Sequence, residues 1–248
     1  MAKKAVDGLR PNENQKSGIP GLLKRGVQNV MGVWIFDAGA KIYNAFNTNE
    51  TWKTSCARLI EGMRGGEDGL LVLDLGIGPG VSAISMGDIR PSARFIGLDI
   101  SKRMLESAKE NREKSGWPAD RLALLRGDAL LLPLADGGVD AAAGHSFLYL
   151  LPDHCAALKE AYRVVKPGGS VAFLEPYAGA VDWRWLWQQR SLRLLISLTL
   201  WRFYNWLHGR FSKENMRGTL EQTGFSDIDL EVTLGGFGIV GRGRKPRN

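Results

Sequence analysis

From residue 70 onward, short apolar runs alternate with stretches in which apolar residues recur every three or four positions. LLVLDL (70–75), ARFIGLDI (93–100) and RLALLRGDA (121–129) read as buried strands; GVDAAAGHSFLYL (138–150) contains a fourth, and SVAFLEP (170–176) is a fifth. Apolar runs without in/out alternation are what a parallel sheet covered on both faces requires. Between them the period becomes helical. KRMLESAKENREKSG follows Ser101, a residue type whose hydroxyl caps helix N-termini, and the helix it predicts stops at Gly116 and Pro118. HCAALKEAYRVVKPGG (154–169) places Leu158, Ala161, Tyr162 and Val165 on one face and predicts a helix closed by Pro-Gly-Gly. SKENMRGTLEQTGF predicts another helix, and SDIDLEVTL and GFGIVGRG predict two strands joined at Gly235-Gly236. This order implies an α/β fold, a doubly wound seven-stranded sheet whose C-terminal hairpin makes the last strand antiparallel. Residues 1–18 read as a mobile basic segment, and 19–248 as one domain. Within it, helices over 19–66 lead into the sheet, and an aromatic stretch at about 180–211 interrupts the alternation.

Composition and charge narrow the class. At 248 residues, 44% hydrophobic and 24% charged, the chain suits one large globular α/β domain. Cys56 and Cys155 are the only cysteines and lie outside any Cys/His cluster, so neither a disulfide framework nor a structural metal is expected, and a reducing cytoplasm fits. No apolar segment follows the basic N-terminus, and no run of eighteen uncharged apolar residues exists, so neither a secretory signal nor a spanning helix is expected. The net charge of +7 is concentrated near the termini, at Lys3, Lys4, Arg10, Lys16, Lys24 and Arg25 and again at Arg242, Arg244, Lys245 and Arg247. Two readings stay open: an anionic partner, or solubilising tails.

Chemistry enters at LLVLDLGIGPG (70–80). Gly76, Gly78 and Gly80 follow a buried strand on alternate positions. In an open parallel sheet ligands bind beyond the carboxyl ends of the strands, and glycine lets backbone turn sharply and approach a ligand closely. The dinucleotide fingerprint G-x-G-x-x-G fails because Val81 stands at its last glycine, and no P-loop is present.

With its acidic residue followed by G-x-G-x-G, VLDLGIGPG resembles motif I of the class I S-adenosylmethionine (SAM)-dependent methyltransferases. The resemblance covers residues 70–176 and implies a Rossmann-like fold with SAM as cofactor and S-adenosylhomocysteine (SAH) as product. By that resemblance Asp99, ending the second strand, binds the ribose hydroxyls, and Asp128 in GDALLLPLADGGVD contacts the adenine amino group with Ala129 beside it. Asp74 would hold the glycine loop and reach the methionine amino group, while Leu98, Ile100 and Met104 would supply apolar contacts to the ribose and adenine. Helix capping by Asp99, a plain turn at Asp128, a solvated strand end at Asp74, and core packing by Leu98, Ile100 and Met104 are the structural alternatives.

GHSFLYLLPD, after the fourth strand, would face the transferred methyl. His145 is the candidate general base, since its free pKa lies near neutrality, with pocket lining as the alternative; Tyr149, Tyr177 and Glu175 are secondary candidates. AGHSF lacks the [DNS]-P-P-[YFW] motif of enzymes that methylate exocyclic base amines, so DNA is not an expected substrate. The stretch AVDWRWLWQQRSLRLLISLTLWRFYNWLHGRF (180–211) holds five of the eight tryptophans and five arginines. It reads as a lid over the acceptor, and its mix of Trp, Arg and aliphatic residues also suits peripheral contact with the inner face of a membrane. FDAGAKIYNAFNTNETWKTSCARL (36–59) is loosely similar to the leading segment of the ubiquinone/menaquinone-biosynthesis C-methyltransferases, which would set Tyr43 near the methionine end of the cofactor. The resulting expectation is an enzyme methylating an apolar small molecule, such as a quinone, isoprenoid, lipid or polyketide-like metabolite. An RNA or protein methyltransferase, and a SAM-binding protein that does not methylate, are the alternatives.

Overall fold

The computed structural model describes residues 50–65 and 69–247. Tyr43, the basic segment 1–18 and most of the leading helical segment lie outside these residues. The described chain begins with α1 (Glu50–Ala57), then alternates through β1 (Leu71–Leu75), α2 (Val81–Ile89), β2 (Arg94–Asp99), α3 (Lys102–Lys114), β3 (Leu122–Arg126) and β4 (Val139–His145). Next come α4 (His154–Val164), β5 (Val165–Pro176), α5 (Trp183–Gln188), α6 (Leu192–His208), α7 (Lys213–Gln222), β6 (Ser226–Thr233) and β7 (Gly238–Arg244). The seven strands form one sheet in the order β3-β2-β1-β4-β5-β7-β6, with β7 antiparallel to both its neighbours. The strand order reverses at β1 and β4, so the carboxyl ends of these two strands frame the crevice where this architecture binds ligands.

The central strands are packed mainly through small and apolar side chains. β4 reads VDAAAGH, and its alanines are wholly buried, with aliphatic and aromatic residues packed on both faces of the sheet. A Cβ on Gly144 would press on the ring of Phe173 in the neighbouring strand, which explains a glycine inside a strand.

The helix expected to run up to Pro-Gly-Gly ends earlier, at Val164, and β5 already starts at Val165. Pro167 cannot donate to a helix, and it restricts Lys166 to extended backbone. The last helical carbonyls are met from the far end of the chain, since Lys245 Nζ donates to Tyr162 O at 2.7 Å and to Val165 O at 2.9 Å. Arg242 is engaged too, pairing with Asp229 at 3.2 Å and Glu231 at 3.1 Å. These two C-terminal basic residues are therefore engaged with the folded domain, at β6 and at the end of α4, and are not a free tail.

The aromatic stretch folds as α5 and α6, capped by Asp182 and Ser191 side chains respectively. α6 buries Leu194, Leu198, Trp201 and Asn205 and leaves Leu192, Ile196, Leu200, Phe203 and Leu207 exposed. Arg202 turns inward, donating to Tyr177 O at 2.5 Å and Gly179 O at 3.1 Å, and so ties α6 to the chain leaving β5.

Candidate active site

Beyond the ends of β1, β2 and β4 lies a cavity of about 220 Å³. Its floor is the glycine loop. Gly76, Gly78 and Gly80 all have left-handed φ values, of 64°, 54° and 86°. Gly76 has a second constraint: a Cβ there would stand only 2.2 Å from Phe147 Cδ2. The loop is pinned by its own amides. Ile77 N donates to Leu98 O at 3.0 Å and Gly78 N to Asp99 Oδ2 at 2.9 Å. From outside the loop, Asn111 Nδ2 donates to Pro79 O at 2.9 Å.

Asp99 stands at the rim of this cavity. Its second oxygen, Oδ1, accepts the Ser101 amide at 2.9 Å, while Ser101 Oγ caps α3 by accepting from Met104 N at 3.2 Å. The capping expected of Asp99 as an alternative thus falls to Ser101. Ile100, exposed, and Met104, buried, both line the cavity. Asp128 and Ala129 line it as well. Asp128 Oδ1 also accepts the Leu130 amide at 2.9 Å, so the aspartate closes a local turn and borders the cavity at once.

Asp74 is placed differently from the strand-end position that sequence suggested as its alternative. It is fully buried and does not line the cavity. One carboxylate oxygen accepts from Ser82 Oγ at 2.5 Å, and the Ala83 amide also bonds to the group. Asp74 therefore supports the first turn of α2, whose N-cap is a glycine with no side chain to offer. Burial pushes its carboxyl up to about 7, against the two hydrogen bonds, with the nearby charge of Asp99 adding to the rise.

His145 ends β4 and reaches the cavity. Its ring meets Trp52 edge-on at a centroid distance of 4.8 Å, and its Nε2 is buried with no hydrogen-bond partner among the described residues. Burial drives its pKa down to about 4, so the imidazole is neutral at physiological pH. Tyr149 does not share this cavity. It is buried, edge-on to Tyr204 at 6.4 Å, and lines a second hollow with His154, His208 and Arg210. Glu175 is a fully buried support: its carboxylate accepts the amides of Phe147 at 3.1 Å, Leu148 at 2.9 Å and Tyr149 at 3.2 Å. Burial raises its pKa to about 7 in spite of these three donors.

Trp52 and Ser146 also line the cavity, neither of them singled out along the chain, although Ser146 falls within GHSFLYLLPD. Trp52 sits in α1, where the apolar spacing of Trp52 and Cys56 gives the only local signal. Ser146 follows His145 with a left-handed φ of 56°, which nothing in its identity announces.

The residues present suit SAM. The loop offers bare backbone at Gly76 and Gly78, Asp99 puts a carboxylate at the rim, and Ile100, Met104, Ala129 and Leu130 give apolar surface beside it. Sheet order, glycine loop and acidic β2 end together define the architecture of class I SAM-dependent methyltransferases. Comparison with known proteins agrees. The family described as a methyltransferase domain matches residues 73–173. A demethylmenaquinone methyltransferase of Desulfitobacterium hafniense is 27% identical over 231 residues, covering 86% of this chain and 88% of that protein. Among solved structures, the [4+2]-cyclase SpnF superposes with a TM-score of 0.66 at 18% identity, covering 89% of this chain and 96% of that one. Phosphoethanolamine N-methyltransferase 2 of Haemonchus contortus, solved with SAM, superposes with a TM-score of 0.64 at 16% identity, covering 85% of this chain and 57% of that one. At these identities the two structures speak for the fold alone. The domain match and the relatives support a class I SAM-dependent methyltransferase.

Proposed function

We propose that this enzyme methylates an apolar small molecule, of which a quinone-like compound is the favoured class and an isoprenoid, lipid or polyketide-like metabolite the wider one. The observation that carries the reading is the apolar wall of the cavity beyond the glycine loop, made by Trp52, Phe147, Leu150 and Leu151. Such a wall favours a desolvated acceptor and offers a charged one no partner. Relatives named as demethylmenaquinone methyltransferases support the quinone class.

Bound SAM would supply an electrophilic methyl group on a sulfonium, which would pass to the acceptor with loss of the acceptor's proton to water and leave SAH. The chain's part is to position and desolvate. Asp99 would accept the ribose hydroxyls; each carboxylate oxygen has two lone pairs, so these bonds add to the amides it already accepts. Asp128 and Ala129 would meet the adenine, and Gly76 and Gly78 the methionine end. Asp74 would act from beneath, by fixing the start of α2. His145, neutral and with a conjugate acid near pKa 4, is a weak base, so we assign it to lining the pocket, with Nε2 available to a ligand. Tyr149 takes no part in proton transfer in this reading, because it faces the other hollow.

α5 and α6 would cover the acceptor, and the outer side of α6 would meet the surface of a membrane at its cytoplasmic face. Phe203 is 62% exposed, Trp206 66% and Trp187 69%, with Arg184, Arg190 and Arg193 exposed nearby. No described helix is long and apolar enough to cross a membrane.

Incubation of the enzyme with SAM and chemically reduced demethylmenaquinone, followed by mass spectrometry of the solvent extract, tests the reading. A product one methyl group heavier supports it. Methylation of total RNA or protein, with the quinol untouched, would move the assignment to those acceptors.

A further inference from the structure

We propose that Trp201, on the inner face of α6, is a positioning residue for methyl transfer that acts through Ser146. The proposal rests on the reading of the main cavity as the cofactor site.

Ser146 holds a left-handed backbone with φ 56°, a conformation that is unfavourable for a residue with a Cβ and persists only where its surroundings over-determine it. The surroundings are on view. Its amide donates to Leu174 O at 2.8 Å, and the next three amides converge on the Glu175 carboxylate. β5 thus holds the backbone of the turn, but the side chain of Ser146 is held from elsewhere. Trp201 Nε1–H donates to Ser146 Oγ at 2.7 Å, across 55 positions of sequence, and both residues are buried.

Trp201 does not line the cavity, yet it touches residues that do. Besides Ser146, it meets Trp52 edge-on at 5.0 Å with an interplanar angle of 89°, and Trp52 meets His145 in the same manner. One side chain of the inserted helix therefore braces two cavity residues, Trp52 on α1 and Ser146 just beyond β4, and reaches His145 only through Trp52. The insertion holds four further tryptophans, and Trp183, Trp187 and Trp206 leave much of their surface exposed. Filling the core explains a buried ring at position 201, but it does not explain an indole N–H aimed at the hydroxyl of a strained cavity residue. A positioning role explains both, and it makes the α6 insertion part of the cofactor site.

Two small substitutions separate the hydrogen bond from the packing. Trp201→Phe keeps an aromatic ring and removes the N–H; Ser146→Ala keeps the backbone and removes the acceptor. SAH binding is measured by calorimetry on the full chain, and thermal unfolding on the same samples. The proposal predicts that each variant, still folded at the temperature of the titration, binds SAH about tenfold more weakly, because the turn at Ser146 is no longer held in the conformation that borders the cofactor. It also predicts that the double variant is no weaker than the worse single one. Wild-type affinity in both single variants, or losses that multiply in the double variant, would overturn it. A merely structural Trp201 would lower Tm and leave the affinity unchanged, which also overturns it. Asp99→Ala serves as control. If wild type binds SAH and Asp99→Ala does not, while Trp201→Phe binds normally, the positioning role alone is wrong. If wild type does not bind SAH, the cofactor-site reading itself fails and takes the proposal with it.

Discussion

Gly78 N donates to Asp99 Oδ2 at 2.9 Å, so the glycine loop after β1 and the acidic end of β2 form one hydrogen-bonded unit. The residue expected to bind ribose is thereby also the one that fixes the loop. Substituting it removes both functions, whereas an isosteric amide retains an acceptor for Gly78. Asp99→Ala should weaken SAH binding at least about tenfold with the sheet intact, as expected for loss of a charge-assisted hydrogen bond, and Asp99→Asn should fall between it and wild type. Calorimetry checks the order, and unchanged affinity in Asp99→Ala would remove the cofactor assignment.

Gly76 faces two constraints, a left-handed φ of 64° and the ring of Phe147. Left-handed backbone costs a residue with a Cβ about 1–2 kcal/mol before any steric clash. Gly76→Ala should therefore lower Tm by roughly 2–8 °C in a chain of this size and weaken SAH binding. Thermal melts with and without SAH measure both. A variant as stable as wild type would show that the loop is not held in this conformation.

Much of this site was legible along the chain, and the rest was not, for a physical reason. Alternate glycines report a backbone requirement carried by adjacent residues, and Asp99 and Asp128 are each placed by the strand directly before them. Asp74 shows the limit. Its burial depends on α2 folding back so that Ser82 and Ala83 meet its carboxylate. The free pKa of histidine suits His145 to proton transfer, whereas in the fold α1 sets Trp52 against it and burial lowers that pKa. The helix end at Val164 likewise involves Lys245, which no local pattern connects to it. The parallel part of the sheet could be read because strands alternating with helices pair in parallel, but the placement of β7 between β5 and β6 rests on contacts that no local pattern shows.

Asp74 and Glu175 give stability a pH dependence. Burial raises both carboxyls to about 7, so the fold favours their protonated forms. Their contribution is fully present below the unfolded values, about 3.9 and 4.3, and is lost as pH rises through about 7. Asp74→Asn and Glu175→Gln should therefore gain Tm relative to wild type as pH increases from 4 to 7.5. Melts across that range decide the matter, and a difference from wild type that stays constant with pH would contradict the shift.

The outer face of α6 can be tested without disturbing the interior. Phe203→Glu and Trp206→Glu alter side chains that are mostly exposed, so Tm and SAH affinity should stay near wild type. Binding to vesicles of mixed anionic and zwitterionic lipid, followed by flotation, should fall several-fold. Equal flotation of variant and wild type would assign that face to something other than a membrane surface.

The central claim is transfer of a methyl group to an apolar acceptor, and one experiment addresses it directly. Methyl-labelled SAM is incubated with the enzyme and a cell extract that is afterwards divided into solvent-soluble and aqueous fractions. The account predicts label in the solvent fraction with wild type and none with Asp99→Ala. Label confined to aqueous RNA or protein would contradict it.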